Sequence, residues 1–195
     1  MTALEMNIKQ NKNVLREQAR IHRGRMEIDG ADFEHVIEAF FNYFNQIEGL
    51  VVTAYWPMGK EFDVRFLLDE LVKRGVQVAL PVIEQESLIL KFHEWSPNAK
   101  MKAGAYGVME PVGTKALAPD LILAPLLAFD QKGHRLGQGG GYYDATLAHY
   151  RAQKELTYIG VGYSEQAVLF DLPTEGHDQK LDYILTPQEV RKFVK

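Results

Sequence analysis

A chain of 195 residues, 46% hydrophobic and 25% charged, has the balance of an ordinary globular protein and enough length for one well-buried core, which excludes a disordered chain or a coiled coil. Its formal charge is −4 and no basic block extends beyond the N-terminal segment, which argues against a general nucleic-acid binder. The absence of cysteine removes disulfides, thiolate metal sites and a thiol nucleophile, and no stretch approaches the roughly 18 apolar residues of a membrane span, so a cytoplasmic location with no membrane partner is expected.

The first segment, up to about Glu27, reads as a surface helix in which Leu15, Ala19 and Met26 share an apolar stripe. On another face Lys12, Arg16, Arg20 and Arg23 recur at steps of four, four and three, which stacks like charges along one line. Two readings stand side by side: a solvated face, or a row of cations that needs an outside anion to relieve its repulsion.

After the turn "IDGAD", Phe33, Val36, Ile37, Phe40, Phe41, Phe44 and Ile47 repeat at helical spacing and predict a second helix with one broad buried face. "LVVTAYWP" (50–57) is too short for a helix and ends at Pro57, the pattern of a buried strand. Val64, Leu67, Leu68, Leu71 and Val72 predict a third helix stopped at Gly75. "VQVALPVI" and "SLILKFHEW" read as strands, and "SPNAKMKAGAYGVMEPVG" (96–113) as a loop crossing the surface. "DLILAP" (120–125), "TYIGVGY" (157–163) and "KLDYILT" (180–186) are further strands, with a helix at "YYDATLAHYRAQKE". Strands and helices alternate, and the strands are apolar runs without in-out alternation. The expected fold is therefore α/β, a single domain over residues 1–195 with a mostly parallel open sheet and helices on both faces.

Between the strand at 120–125 and the helix that follows lies "RLGQGGGYYD" (135–144), with four glycines in five positions. Its expected place is the carboxyl edge of a parallel sheet, where open α/β proteins bind ligands. Gly137, Gly139, Gly140 and Gly141 let backbone N–H groups approach a ligand closely, and the start of the next helix adds unpaired donors and positive potential. Arg135 supplies a fork suited to phosphate oxygens, and Asp144 a carboxylate that can hold Mg²⁺. The alternative is a merely flexible turn. Neither G-x-x-x-x-G-K-[ST] nor G-x-G-x-x-G is present, so spacing alone gives a nucleotide or phosphate site and no more.

"DLILAPLLAFDQKGHRLGQGGGYYDATL" resembles the signature of the 5-formyltetrahydrofolate cyclo-ligase family, also called 5,10-methenyltetrahydrofolate synthetase. "KNVLR" (12–16), "YWPMGKEFDV", "GAYGVMEP" and "HDQKLDYILT" fall in the family's order on either side, so the resemblance spans nearly the whole chain. It implies conversion of 5-formyltetrahydrofolate to 5,10-methenyltetrahydrofolate with ATP and Mg²⁺, by phosphorylation of the formyl oxygen and ring closure, in a monomer. It further implies that Lys12, Arg16, Arg135, Leu136, Gly137, Gln138, Gly139, Gly140, Gly141, Tyr142 and Tyr143 bind ATP, with Arg135, Lys12 and Arg16 supplying catalytic charge. Glu61, Tyr106, Gln138 and Tyr142 would contact the folate, and Asp144 and Asp182 would hold Mg²⁺.

Each has a plainer rival: Asp182 can border a strand, Glu61 can be a helix-start acid, and Tyr106 can pack on the surface. Of the six histidines none forms a metal-like pair, and His134 beside Arg135 is the one to watch. Gln138 and Tyr106 depart from residues frequent in the family. Gln138 leaves open a protein that binds folate or nucleotide without turnover, and a sugar-phosphate isomerase that needs no ATP is a third reading.

Overall fold

The computed structural model describes residues 3–27 and 29–194. Helices α1 (Ala3–Arg25) and α2 (Ala31–Tyr43) precede β1 (Val51–Thr53), α3 (Arg65–Lys73), β2 (Gln77–Val82) and β3 (Lys91–Trp95). A hairpin of β4 (Met101–Ala103) and β5 (Met109–Pro111) leads to β6 (Ala116–Leu117), β7 (Leu121–Pro125), β8 (Ala128–Phe129) and β9 (Arg135–Leu136). Helix α4 (Tyr142–Arg151), β10 (Thr157–Val161), β11 (Tyr183–Leu185) and β12 (Val190–Lys192) complete the order.

Eight strands form one sheet in the order β12-β11-β10-β7-β1-β2-β3-β6. The centre, from β11 through β10, β7 and β1 to β2, is parallel, and the outer pairings on both sides are antiparallel. The apolar runs in the sequence follow from burial on both faces. Along β7, Leu121 and Leu123 face the core shared with Val36 and Phe40 of α2 and Leu67, Leu68 and Leu71 of α3, while Ile122 and Ala124 face Leu147 and Tyr150 of α4. Helices thus cover both sides of a mixed α/β sheet.

Helix α3 stops where expected: Gly75, at φ +77°, donates to Val72 O at 3.0 Å, and Val76 N donates to Leu71 O at 3.0 Å, so the last carbonyls are satisfied. Beyond the short strands β6, β8, β9 and β12, which the reading of the sequence lacks, two segments differ from it. The periodic run ending at Ile47 leaves the helix at Phe44, whose φ of −101° and ψ of 72° are not helical, and Ile47 reaches the core from the connecting turn. The presumed loop at 96–113 contains the β4–β5 hairpin, whose three-residue strands are too short to display a period. No described helix is long and apolar enough to cross a membrane.

Candidate functional site

The chain leaves β1 towards β2 on one side, and leaves β7 towards β10 on the other, although β1 and β7 are neighbours. At such a switch point the carboxyl ends of the strands open a crevice. A cavity of about 480 Å³ lies there, lined by Tyr55 and Trp56 after β1, Pro81 and Ile83 at the end of β2, and Pro125 and Leu126 at the end of β7. The stretch Arg135–Asp144 forms its wall in full, together with Lys12, Arg16, Glu61 and Tyr106.

The glycines are required by geometry at two points. Gly139 adopts φ +101°, a region side chains avoid, and a Cβ on Gly137 would lie 2.7 Å from Arg135 Nη1. Gly141 caps α4 at φ +74° with no side-chain bond, so the first-turn N–H groups of the helix are left for a ligand. Arg135 is anchored beneath the loop: Nη1 donates to Pro125 O at 3.2 Å and Nη2 to Asp144 Oδ2 at 3.3 Å. Its Nε is buried and has no partner among the described residues. Burial disfavours the Arg135 charge, but the surrounding groups, Tyr158 and Asp144 foremost, more than offset this and hold its pKa above the ordinary value.

Helix α1 lies across the loop. Leu15 and Ala19 pack against Ala128, Leu136 and Leu172, which turns the row of cations towards the site. Arg16 Nε donates to Gly137 O at 3.0 Å, and Arg20 donates to Gln138 Oε1 at 3.1 Å and to Gln138 O at 3.2 Å. Arg23 Nη1 reaches Leu126 O at 3.4 Å and lies 3.7 Å from Glu61 Oε1. Lys12 is buried between Glu175 Oε2 at 2.9 Å and Asp178 Oδ2 at 2.5 Å. The solvated-face reading of this row is therefore set aside. Burial, with Arg20 alongside, lowers the Arg16 pKa from its ordinary value. A second, more polar cavity of about 760 Å³ runs along α1 on the other side of the loop and shares Arg16, Arg20, Gln138, Gly139 and Glu175 with the first.

Glu61 is buried at the opposite wall, where Oε2 accepts from Met58 N at 3.0 Å and Oε1 from Gln138 Nε2 at 3.1 Å. Tyr106, at φ +57°, stands exposed over the cavity with its hydroxyl 3.2 Å from that of Tyr142. Asp144 faces the cavity and keeps Oδ1 on Gln179 N at 3.0 Å.

Asp182 departs from the expectation. It does not line the cavity, and its Oδ2 accepts from Arg151 Nη2 at 2.8 Å and Tyr158 N at 2.9 Å, which stitches the start of β11 to β10 and α4. The acid that does front the cavity from the same motif is Asp178, four residues earlier, beside Glu175 and His177, whose ligand atoms with its own lie within 4.8 Å of one another. The sequence signal that separates the two is placement: Asp178 sits in the loop and Asp182 at the strand edge. His134, beside Arg135, is taken by Asp130, with Nδ1 at 2.7 Å from Oδ2, and serves the β8–β9 hairpin. The resemblance assigns no role to Arg20, Arg23 or Glu110, although Arg20 and Glu110 line the cavity; Glu110 falls within the stretch read as a surface loop.

Residues 8–187 match the model of the 5-formyltetrahydrofolate cyclo-ligase family. The chain is 34% identical over 152 residues to the 5-formyltetrahydrofolate cyclo-ligase of Mycolicibacterium smegmatis, covering 73% of this chain and 76% of that protein. With the 5-formyltetrahydrofolate cyclo-ligase of Haemophilus influenzae it shares 30% identity over 187 residues, 92% of this chain and 99% of that one. The solved structure of 5,10-methenyltetrahydrofolate synthetase from Aquifex aeolicus superposes with a TM-score of 0.77 at 29% identity, over 94% of this chain and 93% of that one. Motif order, sheet topology and these likenesses agree, and the chain belongs to the 5-formyltetrahydrofolate cyclo-ligase family.

Proposed function

We propose that the protein converts 5-formyltetrahydrofolate to 5,10-methenyltetrahydrofolate, with ATP consumed to ADP and phosphate, and that the strand-end cavity receives the folate together with the phosphates of the nucleotide, the rest of which lies in the polar groove along α1. The observation that carries this is the shared wall: one glycine loop at a helix start, crossed by cations, separates an aromatic-lined cavity from a polar one. Tyr55, Trp56, Tyr106 and Tyr142 suit flat conjugated rings, and Lys12, Arg16 and Arg135 suit a triphosphate.

A formamide oxygen is a poor leaving group. In the reaction we infer, that oxygen attacks the γ-phosphorus and ADP departs; the N10 lone pair then attacks the formyl carbon, phosphate leaves with the former formyl oxygen, and N10 gives up its proton. Phosphoryl transfer asks a protein for alignment and for fixed charge around the transferring oxygens. The N–H groups at the start of α4 and the guanidinium of Arg135 provide both without moving. Lys12 would turn part of its charge from Glu175 and Asp178 to the phosphates. Asp144 and Asp178, two hard carboxylates facing one cavity, fit Mg²⁺ and would hold it in place of the expected pair with Asp182. Bound there, the ion would neutralise charge on the phosphate oxygens.

We propose that the protein acts as a monomer, and soluble substrates fit a cytoplasmic location. The test is to mix protein with 5-formyltetrahydrofolate, ATP and Mg²⁺ and follow methenyl absorbance. It should rise, and only with all three present. A protein that binds without turnover gives no rise, and a rise without ATP would contradict the phosphorylation step.

A further inference from the structure

We infer that Glu110 is a substrate-binding carboxylate that takes the amino-pyrimidine edge of the folate's pterin ring; the inference rests on the proposed folate site and names a residue of "GAYGVMEP" to which the resemblance assigns no role. Glu110, on β5, is 3% exposed, and what surface it keeps lines the strand-end cavity. Its Oε1 accepts from Ile83 N at 3.0 Å. Among the described residues nothing donates to Oε2 and no cation pairs with the group, Lys102, its cross-strand neighbour, included. With one oxygen bonded to the backbone and the other bare at the cavity wall, the carboxylate is placed to take donors that arrive with a ligand.

The seat is built for the group. Gly104 lies against the Glu110 carboxylate so closely that a Cβ there would overlap it, which accounts for the first glycine of "GAYG". The same turn carries Tyr106 over the cavity, so one hairpin sets both an acceptor at the wall and an aromatic ring at the mouth. Glu61, another of the cavity's acids, already accepts from Met58 and Gln138 and lies near Arg23, so Glu110 is the less satisfied of the two. Tetrahydropterin offers a 2-amino group and an adjacent ring N–H as parallel donors. An ionised carboxylate, which only accepts, is the matching partner.

The experiment measures calorimetric binding of 5-formyltetrahydrofolate, and of an analogue with methyl in place of the 2-amino group, to the parent and to Glu110→Gln. Glutamine keeps an acceptor for Ile83 N, and thermal melting checks the fold. Glu110→Gln should weaken 5-formyltetrahydrofolate by about tenfold to a hundredfold and leave ATP affinity unchanged. The analogue should bind the parent as weakly, and the two losses should not multiply when combined. Equal affinity of parent and variant for 5-formyltetrahydrofolate, or losses that multiply, would overturn the role of Glu110 alone. The analogue binding the parent as well as the substrate does would do the same. A parent protein that binds no 5-formyltetrahydrofolate would overturn the folate site itself and this inference with it.

Discussion

Replacing Arg135 by alanine removes a guanidinium that is buried under the glycine loop and holds two groups at once, Pro125 O at 3.2 Å and Asp144 Oδ2 at 3.3 Å. The chemical loss should resemble removal of one preorganised donor from a charge-stabilising site, a fall of about 10² to 10³ in kcat, or about 2.7–4 kcal/mol. The structural loss is smaller, because Asp144 keeps its bond from Gln179 N at 3.0 Å; an unsatisfied buried acceptor costs about 1–3 kcal/mol. Against the roughly 5–15 kcal/mol stability of a domain this leaves the protein folded. Steady-state methenyl formation at saturating substrates, with a melting curve on the same sample, separates the two effects. Arg135→Lys should recover part of the rate, since a point charge keeps the attraction and loses the fork that spans both partners. A folded Arg135→Ala protein with unchanged kcat would refute the reasoning.

Asp144→Asn and Asp178→Asn should each raise the Mg²⁺ concentration for half-maximal rate about tenfold. Asp182→Asn should leave that concentration alone and lower the melting temperature, since it weakens the bonds to Arg151 and Tyr158 N at a cost of about 1–3 kcal/mol; the opposite pattern would restore Asp182 to the metal site. Burial pushes the Asp130 carboxyl up, but hydrogen bonds from Leu172 N, the His134 ring, His134 N and Lys132 N outweigh it and hold its pKa below the ordinary value. A depressed folded pKa contributes stability that is complete above the unfolded value of about 3.9 and is lost as pH falls through the folded value. Asp130→Asn should therefore flatten the acid limb of a denaturation series below about pH 4, and an unaltered limb would count against it.

The parallel centre was legible because strands buried on both faces are written as unbroken apolar runs, as in "DLILAP", and the glycine loop because few turns need four glycines. What escaped depends on partners far away in the chain. Lys12, Arg16 and Arg20 read as a charged stripe until Glu175, Gly137 and Gln138 are brought against them across more than a hundred residues. Asp178 and Asp182 share one motif, and the positions of Arg151 and Tyr158 N, 31 and 24 residues away, hold Asp182 off the cavity. Glu110 was hidden by a hairpin whose strands span three residues each, too few to show which side chains face inward.

The measurement that bears most directly on a glycine loop poised to phosphorylate a formyl oxygen is isotopic. 5-Formyltetrahydrofolate carrying ¹⁸O in its formyl group is turned over with ordinary ATP, and the released phosphate is weighed by mass spectrometry. Transfer of one ¹⁸O per phosphate is the predicted result. Unlabelled phosphate, with the heavy oxygen recovered in water, would contradict the account.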